Sequence, residues 1–102
     1  MQIIRGTTPT ITINLEDGVK FEDLGTVTLR IKQGTFSIDK EPTTIDGSTA
    51  TFDYTEEETL KLYEGAANIQ LVGVKDNEIT KSEVYGITVY KSLWNESVKD
   101  EW

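Results

Sequence analysis

From Thr10 to Leu15, apolar and polar residues alternate: Ile11, Ile13 and Leu15 against Thr10, Thr12 and Asn14. That is the period of a strand with one buried face. Upstream, Ile3 and Ile4 are separated from this row by Gly6 and Pro9, which remove a side chain and a backbone donor. The pattern predicts a strand broken between Ile4 and Thr10, pairing first in one sheet and then crossing to another. Val27, Leu29 and Ile31 alternate with Thr28, Arg30 and Lys32. After a turn at Gln33-Gly34, Phe36 and Ile38 alternate with Thr35, Ser37 and Asp39, completing a β-hairpin. Glu41-Pro42 ends pairing or marks an edge. Thr43 to Ile45 and Ser48 to Tyr54 flank Asp46-Gly47, a favoured two-residue turn, with Ala50, Phe52 and Tyr54 on one face. Ala67, Ile69 and Leu71 make the next inward row. Asp76-Asn77 turns the chain, and Tyr85, Ile87 and Val89 form a last strand, in which Gly86 suggests a bulge or a close approach by another backbone.

Three stretches depart from this period. Glu16 to Gly25 is acidic and glycine-bracketed, a surface connection whose Val19, Phe21 and Leu24 fold back onto the core. Thr55 to Gly65 carries the helical signal: Thr55 caps, Glu58 completes a capping box, and three acids fill the first turn. Gly65 is placed to end it. So short a helix needs Leu60 and either Leu62 or Tyr63 as anchors, and it reads as a bridge between sheets. The tail, Ser92 to Trp102, holds both tryptophans. Trp94, Val98 and Trp102 are four apart and align on one side of a helix. Three readings stay open for it: docking on its own domain, packing on a partner or following subunit, or lacking structure in isolation.

One domain is expected from 102 residues, a β domain over 1–91 followed by the amphipathic tail 92–102. With no cysteine there is no disulfide framework or thiolate chemistry, and with no histidine the commonest general base and zinc ligand are missing. The net charge of −8 arises beyond residue 40, where five lysines face thirteen acids. A surface of that sign repels phosphate backbones, so nucleic acid is not an expected partner. The sequence contains no apolar run long enough for a membrane-spanning helix, and the N-terminus has no secretory pattern, so synthesis in the cytoplasm is expected.

No constellation of residues reads as a catalytic, cofactor or metal site. Asp76, Asn77 and Glu78, and the pairs Glu16-Asp17 and Glu22-Asp23, are rich in oxygen but lack the spacing of a calcium loop and read as turn residues. Glu56, Glu57 and Glu58 point different ways on a helix. Lys81 and Ser82, adjacent on a strand, face opposite sides. Asn95-Glu96-Ser97 matches the glycosylation pattern, a frequent chance match. Phe36, Phe52, Tyr54 and Tyr85 fit a core, whereas Tyr63, Tyr90, Trp94 and Trp102 suit a contact surface.

Several stretches share a resemblance: I-I-R-G-T-T-P-T-I-T-I near the start, T-V-T-L-R-I-K-Q-G, T-E-E-E-T-L-K-L-Y-E-G running into A-A-N-I-Q-L, and a closing I-T-V. Taken in order they resemble small structural proteins of phages and prophages of Gram-positive bacteria, in particular the N-terminal domain of the phage baseplate upper protein. The resemblance spans about Ile3 to Lys91, and its most specific pieces are Arg5 to Thr10 and the run from Glu58-Thr59-Leu60 to Gln70-Leu71. It implies an all-β, immunoglobulin-like antiparallel β-sandwich, which strands recurring between turn signals also favour. The expected form has about seven strands, one short helical bridge and a short C-terminal helix. It further implies a non-enzymatic adaptor of a phage tail or baseplate, contacting other tail or baseplate proteins or further copies of itself, and located in the virion. No catalytic, cofactor-binding or metal residue transfers. Arg5, Thr7, Thr8, Tyr90, Trp94, Val98 and Trp102 are the candidate partner contacts. The alternative is a carbohydrate- or cell-wall-binding module with Tyr90, Trp94 or Trp102 as stacking platforms.

Overall fold

The computed structural model describes residues 2–16, 18–82 and 84–91. The tail 92–102, with the expected C-terminal helix and the contacts assigned to Trp94, Val98 and Trp102, lies outside the described residues. Nine strands, one short α-helix and one 3-10 helix follow in order: β1 (Gln2–Ile4), β2 (Thr10–Asn14), the 3-10 helix (Phe21–Leu24), β3 (Thr26–Gln33), β4 (Phe36–Lys40), β5 (Thr44–Asp46), β6 (Thr49–Asp53), α1 (Glu56–Leu60), β7 (Gly65–Lys75), β8 (Glu78–Lys81) and β9 (Tyr85–Tyr90).

The first strand breaks where Gly6 and Pro9 require it. β1 pairs with β9 in a large sheet of order β1-β9-β7-β3-β4, and β2 pairs with β6 in a small sheet of order β2-β6-β5. The apolar rows of both sheets meet in one core: Ile3, Ile11, Leu29, Ile31, Ala50, Phe52, Leu62 and Val89 are all buried to 2% exposure or less. Because neighbouring side chains in a strand point to opposite faces, the strands that line the core contribute alternate residues to it, whereas β5 and β8 are exposed throughout.

Several expectations are corrected. Among the described residues the strands number nine, not about seven, because the first splits in two and Glu78–Lys81 pairs with β7. The large sheet is mixed rather than antiparallel, since β1 runs parallel to β9 with Ile3 opposite Val89. Both hairpins turn one residue later than expected, at Gly34-Thr35 with Gln33 still in β3 and at Gly47-Ser48 with Asp46 still in β5. The helix stops at Leu60, capped by Lys61, and Gly65 opens β7 instead of ending α1. No bulge forms at Gly86. The register breaks just before it: Lys81 lies opposite Val72 and Tyr85 opposite Ile69, so three residues of one edge face two of β7. Ser82 fills the break, its Oγ accepting the Leu71 N–H at 2.9 Å and its carbonyl accepting from Gln70 Nε2 at 2.9 Å.

Of the three apolar residues of the acidic connection, Phe21 is buried and Leu24 half-buried as expected, but Val19 stays exposed. It lies flat against β7. Gly25 has φ +76°, and a Cβ there would strike the carbonyl oxygen of Val74, while a Cβ on Gly73 would come within 2.8 Å of the Leu24 carbonyl oxygen. Only glycine permits both the left-handed turn and this approach.

Candidate interaction surface

The segment from Arg5 to Thr10 crosses between the sheets and lies against α1. Thr55 Oγ1 accepts the Glu58 N–H at 3.1 Å while Glu58 Oε1 accepts the Thr55 N–H at 2.9 Å, closing the expected capping box. At the other end of the helix, Arg5 supplies the cap. Its Nε donates to the Leu62 carbonyl at 2.6 Å and its terminal Nη2 to the Leu60 carbonyl at 2.9 Å. A cation set against the last carbonyls of a helix also meets the negative end of its dipole. Thr59, fully buried, donates from Oγ1 to the Thr7 carbonyl at 2.8 Å, and Thr7 Oγ1 donates to the Ile4 carbonyl at 2.6 Å. The Arg5 side chain and the Thr7 carbonyl therefore hold the crossover to the helix, while the Thr7 side chain bonds within the crossover and is exposed. Thr8 and Tyr90 are exposed.

A second polar cluster sits where β4, β6 and α1 meet. Lys40 Nζ reaches Glu58 Oε1 at 2.7 Å and lies 5.6 Å from the centre of the Tyr54 ring. Burial draws the Glu58 carboxyl upward, but the hydrogen bonds from Lys40 and the Thr55 N–H outweigh it and hold the group below its ordinary value. Tyr54 is buried, and its hydroxyl has no hydrogen-bond partner. Burial, with the charges of Glu58 and Asp39, pushes this phenol far above its usual range. Outside the cluster, Arg30 and Asp39 pair at 2.6 Å on the exposed face, and the hydrogen bond from Arg30 is the main cause that lowers the Asp39 carboxyl.

Gln33 is a functional position of the fold that periodicity does not reveal. It is 2% exposed at the end of a strand. Its amide grips the loop after α1 from both sides, donating to the Tyr63 carbonyl at 2.6 Å and accepting the Tyr63 N–H at 2.8 Å. Tyr63 itself stands exposed over Gly34, its hydroxyl within 2.8 Å of where a Cβ would be.

Among the described residues β2 pairs only with β6. Since Leu15 N–H donates to Ser48 and Pro9 accepts from Tyr54, the odd-numbered residues face β6, and the backbone groups of Thr10, Thr12 and Asn14 point away from it. Beside this edge is a hollow of about 280 Å³ between the sheets, lined by Ile13, Leu15, Leu71 and Tyr85. Tyr85, expected in the core, is instead 55% exposed at the mouth of that hollow, because no strand of the small sheet covers the start of β9. Among the described residues no three His, Cys, Asp or Glu side chains gather as a metal would require, and no helix is long and apolar enough to cross a membrane. No family model matches the chain, and no curated relative matches it.

Proposed function

We propose that the chain is a non-enzymatic adaptor of a phage tail or baseplate, built on an immunoglobulin-like β-sandwich and acting through protein–protein contacts. One observation carries this reading. The two sequence pieces on which the resemblance rests, Arg5 to Thr10 and Glu58 to Leu60, touch each other through the Arg5 and Thr59 hydrogen bonds. Residues 52 to 57 positions apart thus form one structural unit, and such a unit is what a shared fold would preserve. The strand order also favours an immunoglobulin-like arrangement, since two sheets face one core and the β1 segment pairs in parallel with the last strand. Fold alone does not give function, so the adaptor role rests on the likeness.

With the Arg5 side chain committed to the helix, partner contacts fall to exposed positions such as Thr7, Thr8, Tyr63 and Tyr90. The test is co-purification of the full chain with tail proteins encoded beside it, together with sedimentation over a range of concentrations. Complex or oligomer formation is expected. A sharply monomeric profile with no binding to those proteins overturns the proposal. The half-exposed ring of Tyr90 leaves a carbohydrate- or cell-wall-binding module as the second reading. Tryptophan and tyrosine fluorescence unchanged by host wall polysaccharide would remove it.

A further inference from the structure

Among the described residues, β1, β4, β5 and β8 border the sheets, and each is blunted. β1 and β5 are three residues long, β4 ends in Asp39 and Lys40, and β8 begins with Glu78 and ends with Lys81. Short length and charge are the usual means of keeping an open edge from pairing with another chain. β2 borders the small sheet with neither protection. Its five residues, Thr10–Asn14, are uncharged, and so is every position from Gly6 to Leu15, on a chain of net charge −8. Pro9 does not interrupt the open row, because its carbonyl turns toward β6, where it accepts the Tyr54 N–H at 3.0 Å. The backbone groups that point outward belong to Thr10, Thr12 and Asn14, all three exposed.

We propose that the β2 edge pairs with the β2 edge of a second copy, antiparallel about a two-fold axis at Thr12, so that the two small sheets join into one. Under that axis Thr12 faces Thr12 of the second copy, and Thr10 faces its Asn14. Each such pair exchanges two backbone hydrogen bonds, because the groups on both sides are the outward ones. The side chains match under the same axis. Asn14 uses its amide oxygen to accept from Thr49 Oγ1 at 2.7 Å, which leaves its NH2 to donate. Thr10 donates its hydroxyl proton to Asp53, which leaves its oxygen to accept. On the other face the half-buried Ile13 meets Ile11 of the second copy, a pairing of β-branched side chains. No like charges come opposite each other along this edge, which is what two chains of net charge −8 require of a contact. At about 3.4 Å per residue the five-residue edge is about 17 Å long, so the contact belongs to the small, reversible class. It joins copies of the chain and does not depend on a role in a phage tail.

Sedimentation of the full-length chain from micromolar to millimolar concentration should show a monomer–dimer equilibrium. Thr12→Lys sets two like charges face to face on the axis and should weaken the dimer several-fold, although it makes the chain less negative overall. Thr12→Glu should do the same, and an equimolar mixture of the two variants should form a mixed dimer tighter than either alone. The Thr12 side chain is exposed, so both variants should keep the far-UV spectrum and melting temperature of the parent. Thr12→Pro provides a further variant should a charge disturb folding. It removes an outward N–H without breaking a bond to β6, a change tolerated on an open edge, and should weaken the dimer about tenfold or more. A monomer throughout the range, a dimer unmoved by all three substitutions, or a mixture no tighter than its components overturns the proposal. So does a chain that stays monomeric while the substitutions release a tail protein from it, a result that gives the edge to that partner instead. Co-purification with tail proteins is a separate readout, so loss of the dimer and loss of the adaptor role are told apart.

Discussion

Arg5 Nε donates to the Leu62 carbonyl across 57 positions of sequence at 2.6 Å. The same guanidinium holds the Leu60 carbonyl, so one side chain ties the crossover between the sheets to the end of the bridge between them. Hydrogen bonds from a charged donor contribute about 1.5–3 kcal/mol each, and removing the donor leaves carbonyls unpaired. Arg5→Ala is expected to cost roughly 2–4 kcal/mol in urea unfolding. Arg5→Lys should recover only part, because an ammonium cannot present two fixed parallel donors. A loss below about 0.5 kcal/mol for the alanine variant would show the contact to be incidental to stability.

Gly25 and Gly47 separate two penalties that glycine avoids. Both have positive φ, +76° and +61°, so alanine at either incurs about 1–2 kcal/mol of left-handed strain. At Gly47 a Cβ meets nothing within 4 Å, whereas at Gly25 it runs into the Val74 carbonyl. Gly47→Ala should cost only the strain. Gly25→Ala should cost distinctly more, since the 3-10 helix must lift from β7 and Phe21 with it. Equal losses of melting temperature in the two variants would contradict this.

Much of the architecture was legible because it is periodic. Ile11, Leu29, Ile31, Phe52 and Ile69 sit in alternating rows whose inward faces need only local sequence to be seen. The Gly6 and Pro9 break was legible for the same reason, as was the Thr55–Glu58 box. What escaped is non-local. β8 has all four residues exposed, so no inward row marks it, and its pairing rests on backbone alone. The parallel β1–β9 pair depends on where two distant segments end up. Tyr85 has the right period for the core, but burial also needs an element opposite, and none reaches it. The roles of Arg5 and Gln33 escaped too, since their partners are main-chain groups of a loop more than 25 positions away. Of the candidate contacts, sequence pattern marked Tyr90 as outward, yet the Arg5 side chain looked free only because the helix it holds is remote.

Tyr54 offers a test of what an unpartnered buried hydroxyl contributes. The ring is 2% exposed and its oxygen lacks a hydrogen-bond partner. Such a group carries a desolvation penalty of about 1–3 kcal/mol that folding does not recover. Tyr54→Phe keeps the ring and removes the oxygen, so stability should hold or rise by up to about 1 kcal/mol. Tyr54→Ala, by contrast, opens a core cavity and should cost about 3–5 kcal/mol. A phenylalanine variant as damaged as the alanine one would mean that the hydroxyl is well paired in solution.

Acid should weaken the fold through Glu58. Its carboxyl lies below its ordinary value of 4.5 in the folded chain, since Lys40 and the Thr55 N–H hold the charged form. A group whose folded value is depressed binds fewer protons when native, so stability rises with pH across its titration. Its contribution is complete above the unfolded value and is lost as pH falls through that value and then the lower folded one. Asp39 is also lowered, from 3.8, but its pair with Arg30 is half-exposed and screened, so its share is small. Urea midpoints measured from neutral pH down through the carboxylate range should therefore fall, chiefly below the ordinary glutamate value. Glu58→Gln should cost about 1 kcal/mol at neutral pH, the usual worth of a helix cap, and should flatten that acid decline. Asp39→Asn should leave the decline nearly intact. If instead Asp39→Asn flattens it and Glu58→Gln does not, the capping box and the Lys40 contact are not what acid disrupts.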